Sequence, residues 1–131
     1  MRRKYALAMA LATVTLSSCR STTAPTSPTG QLLNISTDGR AITLENRNAW
    51  PVFYFAVDPG FLALIDFALC NDPASNCPRV PALGSSRVAY GDIAGYHTGE
   101  ADVVIYQWRL ERKADGTYTA TQLHTVTVPL R

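Results

Sequence analysis

The histidines and carboxylates are the first residues to consider for catalysis or metal binding, because they transfer protons and ligate cations. His97 and His124 are the only two histidines, and they lie 27 positions apart with no cysteine or histidine between them. Metal-binding histidines usually stand close together or share a site with further Cys or His ligands. The spacing therefore favours surface or packing roles for both residues over a metal pair.

The acidic residues fall into two groups. One group flanks the loop 91–100 and the other lies near Cys70: Asp92, Glu100 and Asp102, then Asp66 and Asp72. Glycosidase-type chemistry needs two carboxylates held at a fixed separation in a cleft, and the twelve-residue calcium-loop pattern is missing around Asp72. Ser85-Ser86 is not part of a Gly-x-Ser-x-Gly elbow. We expect solvated loop charges, a protein without enzymatic activity, and no metal or cofactor.

Aromatic side chains in loops are the better candidates for a binding contact. Trp50 precedes a proline, which favours an extended backbone, and Arg47 stands three positions before it. Trp50 either folds back to cap the open end of the domain or, with Arg47 and with Tyr96 in another loop, contacts a protein or a carbohydrate. Trp108 lies on a strand that is apolar on both faces, and we expect it in the core.

The N-terminus has the organisation of a secretory leader. A basic start at Arg2, Arg3 and Lys4 is followed by an apolar run from Tyr5 to Leu16, which is too short to span a membrane. The next residues, Leu16-Ser17-Ser18-Cys19, resemble the lipobox of bacterial lipoproteins. The resemblance implies a signal peptide of residues 1–18 and a lipid-modified Cys19 as the mature N-terminus.

This resemblance also implies a location and a use for the other cysteines. Several acyl chains on Cys19 anchor a chain to a membrane permanently, and Arg20, rather than aspartate, after the cysteine indicates the outer membrane of the bacterial cell envelope. Lipidation of Cys19 leaves Cys70 and Cys77 as a pair in an oxidising compartment. The six residues between them are rich in turn formers, so we expect a structural disulfide.

Length and composition limit the remaining chain to one near-neutral domain. The 131 residues (14.3 kDa) carry a net charge of +2, but without the leader nine basic and ten acidic residues remain. A domain without a basic face lacks the electrostatic attraction that nucleic-acid binding requires. Residues 19–31 are dominated by Ser, Thr, Pro and Gly, with no large apolar side chain before Leu32, so they form a flexible linker, and the folded domain covers residues 32–131.

Residues 32–131 have the alternating pattern of short strands separated by turns. The expected strands are seven: Leu32–Ser36, Ala41–Glu45, Pro51–Val57, Leu62–Leu69, Ser86–Tyr90, Ala101–Leu110 and Thr117–Pro129. Leu62–Leu69, apolar all round except at Asp66, fits a strand or a helical turn, and we favour the strand because the segment is short and bounded by turn residues. Seven strands with turns every 8 to 12 residues are typical of an antiparallel β-sandwich. In the last strand we expect the threonine face to be solvated, and we expect its edge to be open to a strand from a partner.

Three segments carry a further resemblance. The run Ile42–Asn46 with Pro51-Val52, and Pro81–Gly84 before Arg87–Tyr90, resemble immunoglobulin-like domains of bacterial envelope proteins. Tyr106-Gln107-Trp108 and the cysteine loop are similar to small bacterial lipoproteins that have no assigned function. The resemblance implies an immunoglobulin-like sandwich that lacks the usual B and F strand cysteines. Two functions stay open: a non-catalytic domain that binds an envelope protein or is structural, and a small-ligand or carbohydrate module. The oligomeric state is open as well.

Overall fold

The computed structural model describes residues 30–130, so the predicted leader, Cys19 and nearly all of the linker lie outside the described residues. The described part contains seven strands, one short α-helix and one 3-10 turn. In chain order they are β1 (Leu33–Thr37), β2 (Ala41–Asn46), β3 (Val52–Val57), α1 (Pro59–Leu62), β4 (Arg79–Val80), β5 (Ser85–Ala89), the 3-10 turn (Tyr90–Asp92), β6 (Asp102–Arg112) and β7 (Tyr118–Pro129). No helix in this part of the chain is long and apolar enough to cross a membrane.

β1 and β2 form the hairpin that their alternation and the Asp38-Gly39 turn predict. The Asp38 carboxylate accepts hydrogen bonds from the Arg40 and Ala41 amides, at 3.0 and 2.9 Å. Gly39 adopts a φ of +82°, a left-handed conformation that costs glycine little. On β2, Ile42 and Leu44 are fully buried, as a strand with one core-facing side requires.

The seven strands form two antiparallel sheets that pack face to face. One sheet has the order β1-β2-β5 and the other the order β4-β3-β6-β7. In a constant-type immunoglobulin domain the fourth strand belongs to the sheet of the first, second and fifth strands. Here the two-residue β4 pairs with β3 instead. The predicted antiparallel β-sandwich of seven strands is confirmed, with the fourth strand on the second sheet.

The core lies between the two sheets. Leu33, Ile42 and Leu44 from the first sheet meet Val52, Ala56, Val103 and Ile105 from the second. The register places Ala56 opposite Ile105 and Phe55 opposite Tyr106, so β3 and β6 each present one row of side chains inward and another outward. β3 is apolar on both faces, and its outward row therefore needs a second cover.

The predicted strand Leu62–Leu69 is wrong. Asp58 caps the start of α1 by accepting a hydrogen bond from the Phe61 amide at 2.8 Å, and residues 63–78 continue without a regular strand. We call residues 63–78 the covering segment, because Phe67 from it stacks on Phe55 with the ring centroids 4.3 Å apart. Only one side of its apolar part is covered: Ile65, Phe67 and Leu69 are half-buried, whereas Leu64 is 82% exposed. The seventh strand is β4, which is too short for an alternating pattern to reveal.

The expectation of a solvated threonine face holds for only half of β7. Thr125 and Thr127 are exposed, whereas Thr119 and Thr121 are half-buried. Gln122, which lies between these two halves of the strand, has a φ of +54°. The pairing of β6 with β7 shifts register between Gln107 and Arg109. A bulge of this kind breaks the simple alternation of faces along the strand.

Candidate functional site

The predicted disulfide is present and holds the covering segment together. Cys70 and Cys77 are bonded, and both sulfur atoms lie near the Ser75 hydroxyl. Trp108 is 2% exposed and donates its indole N–H to the Cys70 carbonyl at 2.9 Å. The prediction of a buried Trp108 is confirmed, and it is buried because the covering segment closes over the outer face of β6. The disulfide thus links two positions of the covering segment and restricts its conformation.

Trp50 folds back toward the domain and also carries a cation on its ring. It is half-buried against the core, and the Arg109 guanidinium lies 4.6 Å from its ring centroid. Arg47, on the same loop, forms an exposed pair with Glu45 at 3.2 Å. A guanidinium over an indole is a favourable cation–π contact. One face of the Trp50 ring is thus already occupied within the domain.

Tyr96 lies at the other end of the sandwich from Trp50. Its ring packs against Tyr90, with the centroids 5.8 Å apart, in the region where Ala94 pairs with Val57 at the end of β3. Trp50 precedes the start of that same strand, and six residues of strand span about 17–20 Å. The structure therefore does not bring Trp50 and Tyr96 together, and a single aromatic platform cannot contain both.

Asn46 is a buried polar residue that the sequence analysis did not single out. It is 1% exposed, and its amide nitrogen lies within hydrogen-bond distance of three carbonyl oxygens, those of Trp50, Val80 and Pro81. Its side-chain oxygen accepts a hydrogen bond from the Asn48 amide at 2.9 Å. Asn46 therefore links the loop that contains Trp50 to β4. The one sequence feature that could have indicated this role is the position of an asparagine at the end of an apolar strand.

The loop before β6 brings three titratable side chains together. Asp58, His97 and Glu100 each offer one ligand atom, and these atoms lie within 4.8 Å of one another. His97 Nδ1 is 2.9 Å from Glu100 Oε1 and 2.8 Å from the Gly95 carbonyl oxygen. Burial, and then the neighbouring Asp58 carboxyl, raise the pKa of Glu100 above its ordinary value. The sequence analysis did not single out Asp58, which lies about 40 positions before His97 and Glu100.

The other predicted acids and histidine do not join this cluster. Asp66, Asp72 and Asp92 are exposed, as loop charges are expected to be. His124 lies in the middle of β7 opposite Gln107, and its ring is next to Gly30. The two histidines are therefore on different elements, and His97 alone lies beside carboxylates in the described part of the chain.

A cleft of about 290 Å³ opens between β3 and β5. Tyr54, Arg87 and Asp92 are among the residues that line it, and burial raises the pKa of Tyr54. Its volume is at the lower limit of the 300–1,000 Å³ typical of ligand pockets. None of the three residues predicted to bind, Trp50, Arg47 and Tyr96, lines this cleft.

Comparisons with known proteins identify no relative of the chain: no family model, no curated protein and no solved structure matches it.

Proposed function

We propose that the protein is a lipid-anchored component of the bacterial cell envelope whose immunoglobulin-like domain is non-catalytic and binds another envelope protein. The observation that carries the proposal is the free edge of β7. Strand β7 pairs with β6 on one side and, within residues 30–130, with no strand on the other. A free edge offers a row of backbone N–H and C=O groups to which a partner can add a strand.

β7 differs from the other edge strands in length and charge. It has twelve residues and contains no Asp, Glu, Lys or Arg. The other edges are β1 and β5, with five residues each, and β4, with two. Proteins normally protect a long sheet edge with charge, proline or a covering element. Apart from the bulge at Gln122 and Pro129 at its end, β7 has no such protection within residues 30–130, and this favours use of the edge in binding.

The second half of β7 fits an added strand best. The bulge at residues 122 and 123 ends the regular pairing of the first half, whereas residues 124–129 pair in continuous register with β6. Leu123 is 49% exposed, and Thr125 and Thr127 are exposed on the same face. An added strand would gain backbone hydrogen bonds from the edge and side-chain contacts from this leucine and threonine row.

The disulfide and the N-terminal sequence both support the proposed location. The Cys70–Cys77 disulfide fits a compartment that keeps cysteines oxidised. The lipobox-like Leu16-Ser17-Ser18-Cys19 and the linker up to residue 31 fit a domain held at the outer membrane surface. A tether restricts the search for a partner to the envelope, which raises its effective concentration.

Site-specific photo-crosslinking in cells that make the full chain tests the binding surface. A photoreactive phenylalanine replaces Leu123, and as a matched control Ala114, which is exposed in the turn between β6 and β7. We expect Leu123 to crosslink to an envelope protein, and Thr125→Lys with Thr127→Lys to abolish that crosslink. A crosslink that persists in the lysine variant, or that forms equally at position 114, contradicts the proposal. A crosslink only to a second copy indicates a homodimer instead.

Mass spectrometry of the mature protein tests the anchor separately. We expect an N-terminal Cys19 that carries acyl chains, and a Cys19→Ser chain that is lost from the membrane fraction. An unmodified N-terminus at another residue contradicts lipid anchoring but leaves the β7 surface to be judged by the crosslinking result.

A further inference from the structure

Asp58 is a buried carboxylate without a Lys or Arg ion pair among the described residues. Asp58 lies at the end of β3 and is 4% exposed. One of its carboxylate oxygens accepts a hydrogen bond from the Phe61 amide at the start of α1. None of the ion pairs found among residues 30–130 includes Asp58. Buried charges are normally paired with an opposite charge or bound to a metal ion, because leaving water costs several kcal/mol.

The residues that do face Asp58 have the chemistry of metal ligands. Glu100 and His97 come from the loop before β6, and each can place a ligand atom within 4.8 Å of the others. The Gly95 carbonyl can only accept a hydrogen bond, so His97 Nδ1, at 2.8 Å, carries the proton. Nδ1 is also the ring nitrogen next to Glu100, 2.9 Å from Oε1, so a metal ion at this carboxylate takes the place of the Nδ1 proton and binds Nδ1.

We propose that Asp58, His97 and Glu100 bind a divalent transition-metal ion, of which zinc fits the donor set best. One imidazole and two carboxylates are ligands that zinc accepts, and three protein ligands leave a fourth position for water. Ligand atoms of a tetrahedral zinc site lie about 3.4 Å apart. The cluster is therefore close to binding geometry, and small adjustments of the loop from Gly95 to Glu100 would complete it.

A shared proton is the alternative way to hold the two carboxyl groups together. Asp58 and Glu100 are within hydrogen-bond distance of each other, and burial and this neighbour raise the pKa of Glu100. A bound cation would take the place of that proton. The metal site is independent of the proposed function, because it lies at the end of β3 and not on the edge of β7.

The test measures zinc binding to the full chain, purified in detergent and freed of metal with a chelator. Native mass spectrometry gives the stoichiometry at pH 7.5, and thermal unfolding gives the shift of Tm. We expect one zinc ion per chain and a Tm that rises with free zinc, since a ligand that binds only the folded state stabilises it. Removing a ligand should weaken binding by at least about tenfold.

Matched variants separate this site from adventitious binding. Asp58→Asn keeps the cap of α1, because asparagine also caps helices, and removes only the charge. Asp58→Asn, His97→Gln and Glu100→Gln should each lose the zinc-dependent rise in Tm, whereas His124→Gln and Asp92→Asn should keep it. The proposal is overturned if the wild-type chain binds no zinc at about 100 µM free metal. Equal shifts in the His97→Gln variant, or a response to calcium in place of zinc, overturn it as well.

Discussion

Removing the disulfide should destabilise the whole domain by a predictable amount. Cys70 and Cys77 are seven positions apart, so the bond closes a loop of eight residues. Chain-entropy arithmetic for such a loop gives about 2.5 kcal/mol, which is a large share of the roughly 5–15 kcal/mol stability of a typical domain. For a domain of about 100 residues this corresponds to a fall in Tm of about 10–20 °C.

The loss is expected to reach the rest of the domain because the bonded loop is tied to the second sheet. Trp108 donates its indole N–H to the Cys70 carbonyl, and Phe67 packs against both Phe55 and Tyr106. The covering segment thus closes the outer face of β3 and β6. If the covering segment stays packed without the disulfide, the full loss of about 2.5 kcal/mol lowers the free energy of cooperative unfolding of the domain.

The assay compares urea unfolding of a Trp50→Phe parent with the same chain carrying Cys70→Ser and Cys77→Ser. Trp108 is then the only tryptophan, and its fluorescence reports on the covering segment while circular dichroism reports on the sheets. We expect both signals to change together, at a midpoint shifted by the predicted loss. Reducing the parent with a phosphine is the control, and it should reproduce the midpoint of the double variant.

Two results would refute this reasoning. One is a free energy of unfolding within about 0.5 kcal/mol of the parent, which would mean that the loop is equally restricted in the unfolded chain without the bond. The other is a Trp108 signal that changes well before the circular dichroism. That result would show that the covering segment opens as a separate unit, with a local stability below that of the sheets.

Three further predictions concern the loops around the sandwich. A Cβ at Gly95 would overlap the Phe61 ring at a φ of +76°, so Gly95→Ala should lower the free energy of unfolding by more than about 2 kcal/mol in urea titrations. The matched Gly99→Ala, where φ is +97° and the space is open, should cost only about 1–2 kcal/mol. Asn46→Ala orphans buried carbonyl groups and should cost about 2–4 kcal/mol, measured in the same way; a loss below 1 kcal/mol would contradict its bridging role. The amide hydrogen bonds of the β1–β2 turn, together with Arg87, lower the pKa of Asp38 to about 2, so the stability it contributes is present above its unfolded pKa of 3.8 and is lost as the pH falls toward 2. Asp38→Ala should therefore flatten stability between pH 4 and pH 2, and an unchanged acid transition would argue against it.

Most of the strands could be predicted from the sequence, because strand identity depends on local alternation. Ile42 and Leu44 on one face of β2, with Asp38-Gly39 before it, predicted the first hairpin correctly. The β-branched and aromatic run of β3 likewise predicted a strand that is covered on both faces. Six of the seven expected strands are present within one or two residues of the expected ends.

The errors arose where a segment's role depends on what it packs against. Leu62–Leu69 is apolar on all sides, and the sequence pattern cannot distinguish a buried strand from an irregular segment that covers a sheet. β4 is too short to show a period. On β7, the threonines alternate uniformly in the sequence, but the bulge at Gln122 leaves Thr125 and Thr127 exposed and Thr119 and Thr121 partly buried.

The candidate site was less predictable than the fold. The pairing of Cys70 with Cys77 followed from the lipobox resemblance, which assigns Cys19 to lipidation and leaves two cysteines in an oxidising compartment, so it required no knowledge of the fold. Asp58 lies about 40 positions before His97 and Glu100, and only the parallel contact between Val57 and Ala94 brings that loop to the end of β3. Local periodicity and turn chemistry thus determined the strands and the disulfide loop. The meeting of Asp58 with His97 and Glu100 was decided by how the two sheets assemble, because contacts between distant segments leave no periodic trace in a single sequence.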